Sequence, residues 1–269
     1  MPSKARALLE CGHEAPVLLA VAALIAREAG AAILPFYRGV TAVRTKADSS
    51  PVTEADVAAD RLILAALTRL EPAIAIVSEE SVERALEPAF DPRAPFWLVD
   101  PLDGTKEFLA RRDEFTVNIA LIEHARPVLG VVHIPARRET YAGLVGEGAT
   151  LVRDGGAREP IAARVPPPEG LIALASRSHR SPAVDTFLRT LKLKGESSAG
   201  SALKFCLIAQ GRADVYPRFG RTMEWDTAAG QAVLEAAGGR VLTLEGRPLS
   251  YGKSGFANPD FIAWGRSAP

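Results

Sequence analysis

Apolar positions recur at helical spacing through residues 16–37, a stretch rich in Ala, Leu and Ile, and predict one long helix closing near Pro35. Residues 40–52 (VTAVRTKADSSPV) are polar and turn-rich, and predict a mobile loop or a hairpin. Thr53 then stands as the N-cap of a second helix running to about Leu70, with Asp56 in the position that completes a capping box. Two short apolar runs, 73–77 and 96–99, read as strands. Each delivers acids at its end: Ser78-Glu79-Glu80 after the first, Asp100-Pro101-Leu102-Asp103-Gly104-Thr105 after the second. The β-rich runs 115–122 and 128–134 flank His124-Ala125-Arg126-Pro127 and predict a hairpin, with 141–145 and 150–152 extending the sheet.

Residues 163–170 (ARVPPPEG) break this pattern, because three consecutive prolines fit neither a helix interior nor a central strand. Beyond them the chain alternates: strand 171–175, helix 181–193, helix 201–209, strand 213–216, helix 226–237 ending at Gly238-Gly239, and strand 240–244. The expected fold class is α+β. A first domain over 1–165 sets helices on an antiparallel sheet, and a smaller layered α/β domain spans 166–269.

Composition adds limits. Lys plus Arg and Asp plus Glu number 32 each, and this zero net charge argues against a general nucleic-acid binder. It leaves room for a polyanionic small molecule, which needs only local positive charge. Two cysteines, Cys11 and Cys206, make neither a disulfide framework nor a zinc site, and suggest a reducing compartment. The apolar run 16–26 follows Lys4 and Arg6, as in a signal peptide, but Glu10, His13 and Glu14 interrupt its approach and Arg27 and Glu28 close it. It is too short to span a bilayer and reads as a buried helix.

The acids at the strand ends carry the chemistry. Asp100 and Asp103 are separated by a turn at Pro101 that can aim both carboxylates at one point. Carboxylates so aimed repel unless a cation lies between them, and hard oxygen donors suit Mg²⁺ bound together with phosphate. Gly104-Thr105 opens a short helix through Leu109, whose first N–H groups would face a phosphate. Haloacid-dehalogenase phosphatases also carry two aspartates before Gly-Thr, but two residues apart; here the spacing is three, which argues against a covalent aspartyl-phosphate.

FWLVDPLDGTKEF, SEES and EWDTAAG, in that order, resemble the inositol monophosphatase superfamily, and the likeness runs over roughly residues 20–265. The resemblance implies a layered αβαβα sandwich. It implies two Mg²⁺, one held by Glu79, Asp100 and the Leu102 carbonyl and one by Asp100, Asp103 and Asp226, with Glu79 and the Thr105 hydroxyl activating a water. It puts Asp56 near the site, either as a catalytic acid or beside a third, weaker metal; Lys46, on the loop before it, reads as a solvated surface lysine. Leu102, Asp103, Gly104, Thr105 and Asp226 would also contact substrate.

The family covers inositol phosphates, fructose bisphosphate and 3′-phosphorylated adenosine nucleotides. Three segments, SRSH, GSALKFC and YPRFG, are similar to its bacterial 3′(2′),5′-bisphosphate nucleotidases. They imply that His179, Ser201, Lys204 and Arg218 lie near the nucleotide and its second phosphate, joined by the basic Arg177. The partner is then a small phosphorylated nucleotide, adenosine 3′,5′-bisphosphate or its phosphosulfate relative, and neither a nucleic acid nor an integral membrane. Inhibition by Li⁺, a monomeric or homodimeric state, and a cytoplasmic location with at most peripheral contact to the inner membrane face are implied too. Inositol-1-phosphate hydrolysis is the alternative; a non-catalytic metabolite- or cation-binding role is a distant one. The places of Arg221 and Glu224 are open.

Overall fold

The structure, a computed structural model, describes residues 14–39, 43–45, 51–83, 91–177 and 180–266. Helix α1 (Ala15–Arg38) is apolar and long enough to cross a membrane by composition alone. Its stripe of Leu18, Ala22, Ile25, Ala26, Ala29 and Ile33 is nevertheless buried in the core. The polar segment after it forms a small antiparallel hairpin, β1 (Val43–Thr45) with β2 (Pro51–Thr53). Lys46 and Cys11 lie outside the described residues. Helix α2 (Glu54–Leu70) starts at the expected Thr53 capping box and packs beside α1.

A seven-stranded sheet follows: β3 (Ala75–Ser78), β4 (Phe96–Asp103), β5 (Thr116–Glu123), β6 (Arg126–Ile134), β7 (Glu139–Leu144), β8 (Gly148–Arg153) and β9 (Arg158–Ile161), in that spatial order. It is mixed rather than purely antiparallel, because β3 runs parallel to β4. Alternation along the strands divides the sheet's two faces. Trp97, Val99, Val117, Ile119 and Leu121 pack under α1 and α2. Phe96, Leu98, Ala120 and Ile122 face the opposite way, into a second apolar layer.

That layer contains α6 (Leu203–Ala209) and α7 (Glu224–Ala236). Its far side is closed by a five-stranded sheet in the order β11 (Leu193–Ala199), β10 (Leu171–Ser176), β12 (Val215–Arg218), β14 (Phe261–Trp264) and β13 (Arg240–Thr243). Helix α5 (Pro182–Leu188) covers the outer face of this sheet through Val184 and Leu188. The whole is the layered αβαβα sandwich expected. The proline-rich segment is pinned to the second sheet: Arg164 makes a bidentate pair with buried Asp214, at 2.9 and 2.7 Å.

Two further short α-helices are α3 (Glu79–Glu83) and α4 (Thr105–Leu109), and single 3-10 turns lie at Pro135–Arg137 and Ser254–Phe256. The expected helix over 181–193 ends instead at Leu188, and its remainder turns into β11.

Candidate active site

The DPLDGT segment works through a bulge. Asp100 pairs with Asn118 and Asp103 with Thr116, so residues 100–103 of β4 oppose only 116–118 of β5. Residues three apart on a regular strand face opposite ways; the extra residue returns both aspartates to one side. Pro101 fits there because a bulge releases it from donating to the ladder. Gly104 follows in the left-handed region (φ +89°), where a side chain would be strained, and caps α4.

One carboxylate oxygen of each aspartate is anchored by a backbone N–H. Asp100 Oδ1 accepts from Leu102 at 3.1 Å, Asp103 Oδ2 from Ala202 at 2.6 Å, and Asp226 Oδ2 from Met223 at 2.8 Å. Asn118 Nδ2 adds a bond to Asp103 Oδ2 at 3.3 Å. Glu79 is half-buried at the start of α3, directly after Ser78, whose hydroxyl donates to buried Asp60 on α2. Asp56 is buried, accepts from the Thr53 N–H and hydroxyl at 2.8 and 2.6 Å, and receives the Thr105 hydroxyl at 3.5 Å.

Asp226 arrives from the middle layer. Helix α7 lies close on the first sheet because Gly130 and Gly143 face each other across β6 and β7. A Cβ at Gly130 would come within 2.5 Å of the Ala229 carbonyl, and one at Gly143 within 2.7 Å of Val233 Cα. These paired glycines form the groove that brings the N-terminus of α7 to the bulge.

The turn before α6 reaches the same place. Ser201 has φ +44°, and its hydroxyl donates to the Glu114 carbonyl. The Glu114 carboxylate accepts the Gly200 N–H at 2.9 Å and pairs with Arg177. Lys204 holds the turn from inside, donating to the carbonyls of Ser201 at 2.7 Å and Ala199 at 3.3 Å, 5.0 Å above the Tyr216 ring.

These groups surround one cavity of about 860 Å³. Glu79, Asp100, Leu102, Asp103, Gly104, Thr105, Ser201, Lys204, Arg218, Arg221, Thr222 and Asp226 all line it. Asp56 stands behind Thr105 and is not part of the lining. Arg177 is turned outward to Glu114, and His179 lies outside the described residues. Glu224 is fully buried and has a structural place: it accepts the N–H groups of Gly252 and Lys253 and pairs with the Lys253 ammonium at 2.7 Å. The supporting parts Glu114, Asn118 and Thr222 were missed in the sequence; their partners are distant along the chain, and no local pattern marks them.

The electrostatics ask for a cation. Removal from water pushes the Asp103 carboxyl up, with the Lys204 charge and the Ala202 N–H pulling it partly back. Removal from water and then the Asp103 charge push Asp226 up to about 7. Lys204 itself falls to about 8 through burial. Buried carboxylates whose pKa values are raised by lost water and by a neighbouring carboxylate, Glu107 for Asp103 and Asp103 for Asp226, are ones a divalent ion would ionise together. The donor set, hard oxygens only, fits Mg²⁺. Among the described residues no three acidic, His or Cys side chains close into a tight cage.

The inositol monophosphatase family model matches residues 15–266, and the chain belongs to that family. Its members are metal-dependent phosphatases, and this chain is a phosphoric monoester hydrolase among them. The 3′(2′),5′-bisphosphate nucleotidase CysQ of Escherichia coli K12 is 45% identical over 243 residues, covering 88% of this chain and 95% of that protein. The CysQ nucleotidase of Buchnera aphidicola is 41% identical over 244 residues, covering 89% and 90%. Among solved structures, CysQ from Bacteroides thetaiotaomicron superposes with a TM-score of 0.77 at 38% identity, covering 94% of this chain and 98% of that one.

Proposed function

We propose that the chain hydrolyses the 3′-phosphate of adenosine 3′,5′-bisphosphate, giving adenosine 5′-monophosphate and phosphate. The observation that carries this reading is the polarity of the cavity. Five carboxylates line it, Glu79, Asp100, Asp103, Glu107 and Asp226, and the buried Arg218 guanidinium lines it from β12. A substrate with two phosphates uses both; a monophosphate needs only the acidic side. The names of the relatives at 45% identity support the same substrate.

Two Mg²⁺ are proposed, one at Glu79, Asp100 and the Leu102 carbonyl and one at Asp100, Asp103 and Asp226. Mg²⁺ bound there would supply positive charge to the phosphate oxygens and make a neighbouring water a stronger nucleophile. Glu79 accepts the proton of the attacking water. The Thr105 hydroxyl, 3.5 Å from both Asp56 Oδ1 and the Leu102 carbonyl, donates to this pair and turns its lone pair to that water; this gives Asp56 a positioning role. The water attacks phosphorus opposite the ribose 3′-oxygen; the bond from phosphorus to that oxygen breaks, and the oxygen leaves as a hydroxyl on taking a proton from solvent. Gly104 lets the chain pass close to the phosphate, and Ser201 holds the turn beside it. The fully buried thiol of Cys206 suits a reducing compartment, and we place the reaction in the cytoplasm.

The test is phosphate release with Mg²⁺ from adenosine 3′,5′-bisphosphate, inositol 1-phosphate and fructose 1,6-bisphosphate. The expected order puts the nucleotide first in kcat/KM; a preference for inositol 1-phosphate overturns the reading.

A further inference from the structure

Two donors in the cavity have no acceptor among the described residues. The Arg218 Nε and the Thr222 hydroxyl are buried polar atoms without a hydrogen-bond partner among the described residues. Their side chains are only 8% and 7% exposed, and both residues line the cavity. Buried donors are paired as a rule, and an unpaired one is costly unless a ligand supplies the acceptor.

Their surroundings hold them ready. Arg218 Nη2 donates to the Arg221 carbonyl at 3.0 Å, which fixes one tip of the guanidinium and the chain just before Thr222. The Thr222 carbonyl accepts the Asn258 N–H at 2.9 Å, fixing the residue from the other side. Lys204, the other cation expected at the second phosphate, is differently placed. Two of its bonds go to carbonyls of its own turn, so it acts as the clamp of residues 199–202.

We propose that Thr222 is a specificity-determining residue, its hydroxyl and the Arg218 Nε together binding the oxygens of the substrate phosphate that is not hydrolysed. This rests on the nucleotidase reading above. Both groups can donate, one of them with a charge, and a phosphate offers several acceptor oxygens; a sugar hydroxyl matches that pair less well.

The experiment compares adenosine 3′,5′-bisphosphate with adenosine 3′-monophosphate on wild type, Thr222→Val and Thr222→Ser. Valine keeps the shape and removes the hydroxyl. The ratio of kcat/KM values, bisphosphate over monophosphate, is expected to fall roughly tenfold in Thr222→Val and to stay near wild type in Thr222→Ser. Thermal melting checks that each variant is folded. Calorimetric titration gives a second readout: adenosine 5′-monophosphate is expected to bind Thr222→Val roughly tenfold more weakly, and adenosine equally. An unchanged ratio with unchanged nucleotide binding overturns the proposal. If wild type does not hydrolyse the bisphosphate, yet adenosine 5′-monophosphate binding still depends on the hydroxyl, the substrate reading fails and the subsite stands. If wild type neither hydrolyses the one nor binds the other, both fall.

Discussion

Asp103 meets donors from two parts of the chain: Ala202 ahead of α6, and Asn118 and the Thr116 hydroxyl, at 3.3 and 3.4 Å, on β5. Asparagine would keep an oxygen for the Ala202 N–H and lose the charge a divalent ion needs. Asp103→Asn should therefore fold normally by circular dichroism and lose about a hundredfold or more in turnover, the scale of one strong transition-state contact. Near-normal turnover in the folded variant would contradict the assignment of Asp103 to the metals. A second prediction concerns His133, buried with Nδ1 3.0 Å from both the Glu139 carbonyl and the Thr140 hydroxyl. Burial lowers its pKa to about 4 from 6.5. The unfolded chain takes up the proton first, so the stability from the neutral ring is full above pH 6.5 and lost as pH falls toward 4. The loss approaches about 3 kcal/mol. Urea unfolding at pH 7 and pH 4.5 should show wild type losing more stability than His133→Gln; parallel losses would refute it. At this scale the sequence revealed residues whose neighbours in the chain share their task, such as Asp100, Asp103 and Gly104. It hid Thr222 and Glu114, whose meaning lies in partners folded against them.

The elements that carry the site depend on close approach. Gly130→Ala would push a methyl group into the backbone of α7, and overpacking of this kind costs about 1–3 kcal/mol. Urea unfolding should show that loss, accompanied by reduced kcat as Asp226 is displaced; a neutral effect on both would mean that the groove has slack. The turn 199–202 offers another test. Glu114→Ala removes the acceptor of the Gly200 N–H and the partner of Arg177, and should raise the Mg²⁺ concentration needed for half-maximal activity. Glu114→Gln keeps an acceptor and should recover most of that loss. Direct Mn²⁺ binding followed by electron paramagnetic resonance should move in the same order. The long helices α1, α2 and α7 were legible because their apolar stripes and caps are local, and the Thr53 capping box appears as read, whereas α3 was not expected and α5 was read five residues too long. Strand β11 was not: it is an edge strand of alternating exposure, Lys194 and Glu196 outward, with no apolar run to mark it. Strand β9, an exposed edge of the first sheet, was missed for the same reason.

Across the whole molecule, α6 and α7 serve both sheets, and one apolar cluster runs from Phe96 and Tyr141 through Phe205 and Val233 to Phe261. Neither sheet can lose the other without exposing that layer. Heat unfolding should therefore be a single cooperative transition. Trp97, Trp225 and Trp264 report from the first sheet, the middle helix and the second sheet, so fluorescence and far-ultraviolet circular dichroism should give one midpoint; two midpoints would show the sheets parting separately. The layering was legible only through the likeness of three motifs to a known family, because no periodicity tells which helix two sheets will share. That shared layer also acts as a ruler. Its thickness sets how far the β4 carboxylates stand from Arg218 on the opposite sheet. The separation between two phosphates that the cavity accepts is thus written in side chains that never touch a substrate. Enlarging or trimming Val233, which is fully buried and does not line the cavity, would recalibrate the choice among bisphosphates while leaving the identity of every group that meets them unchanged.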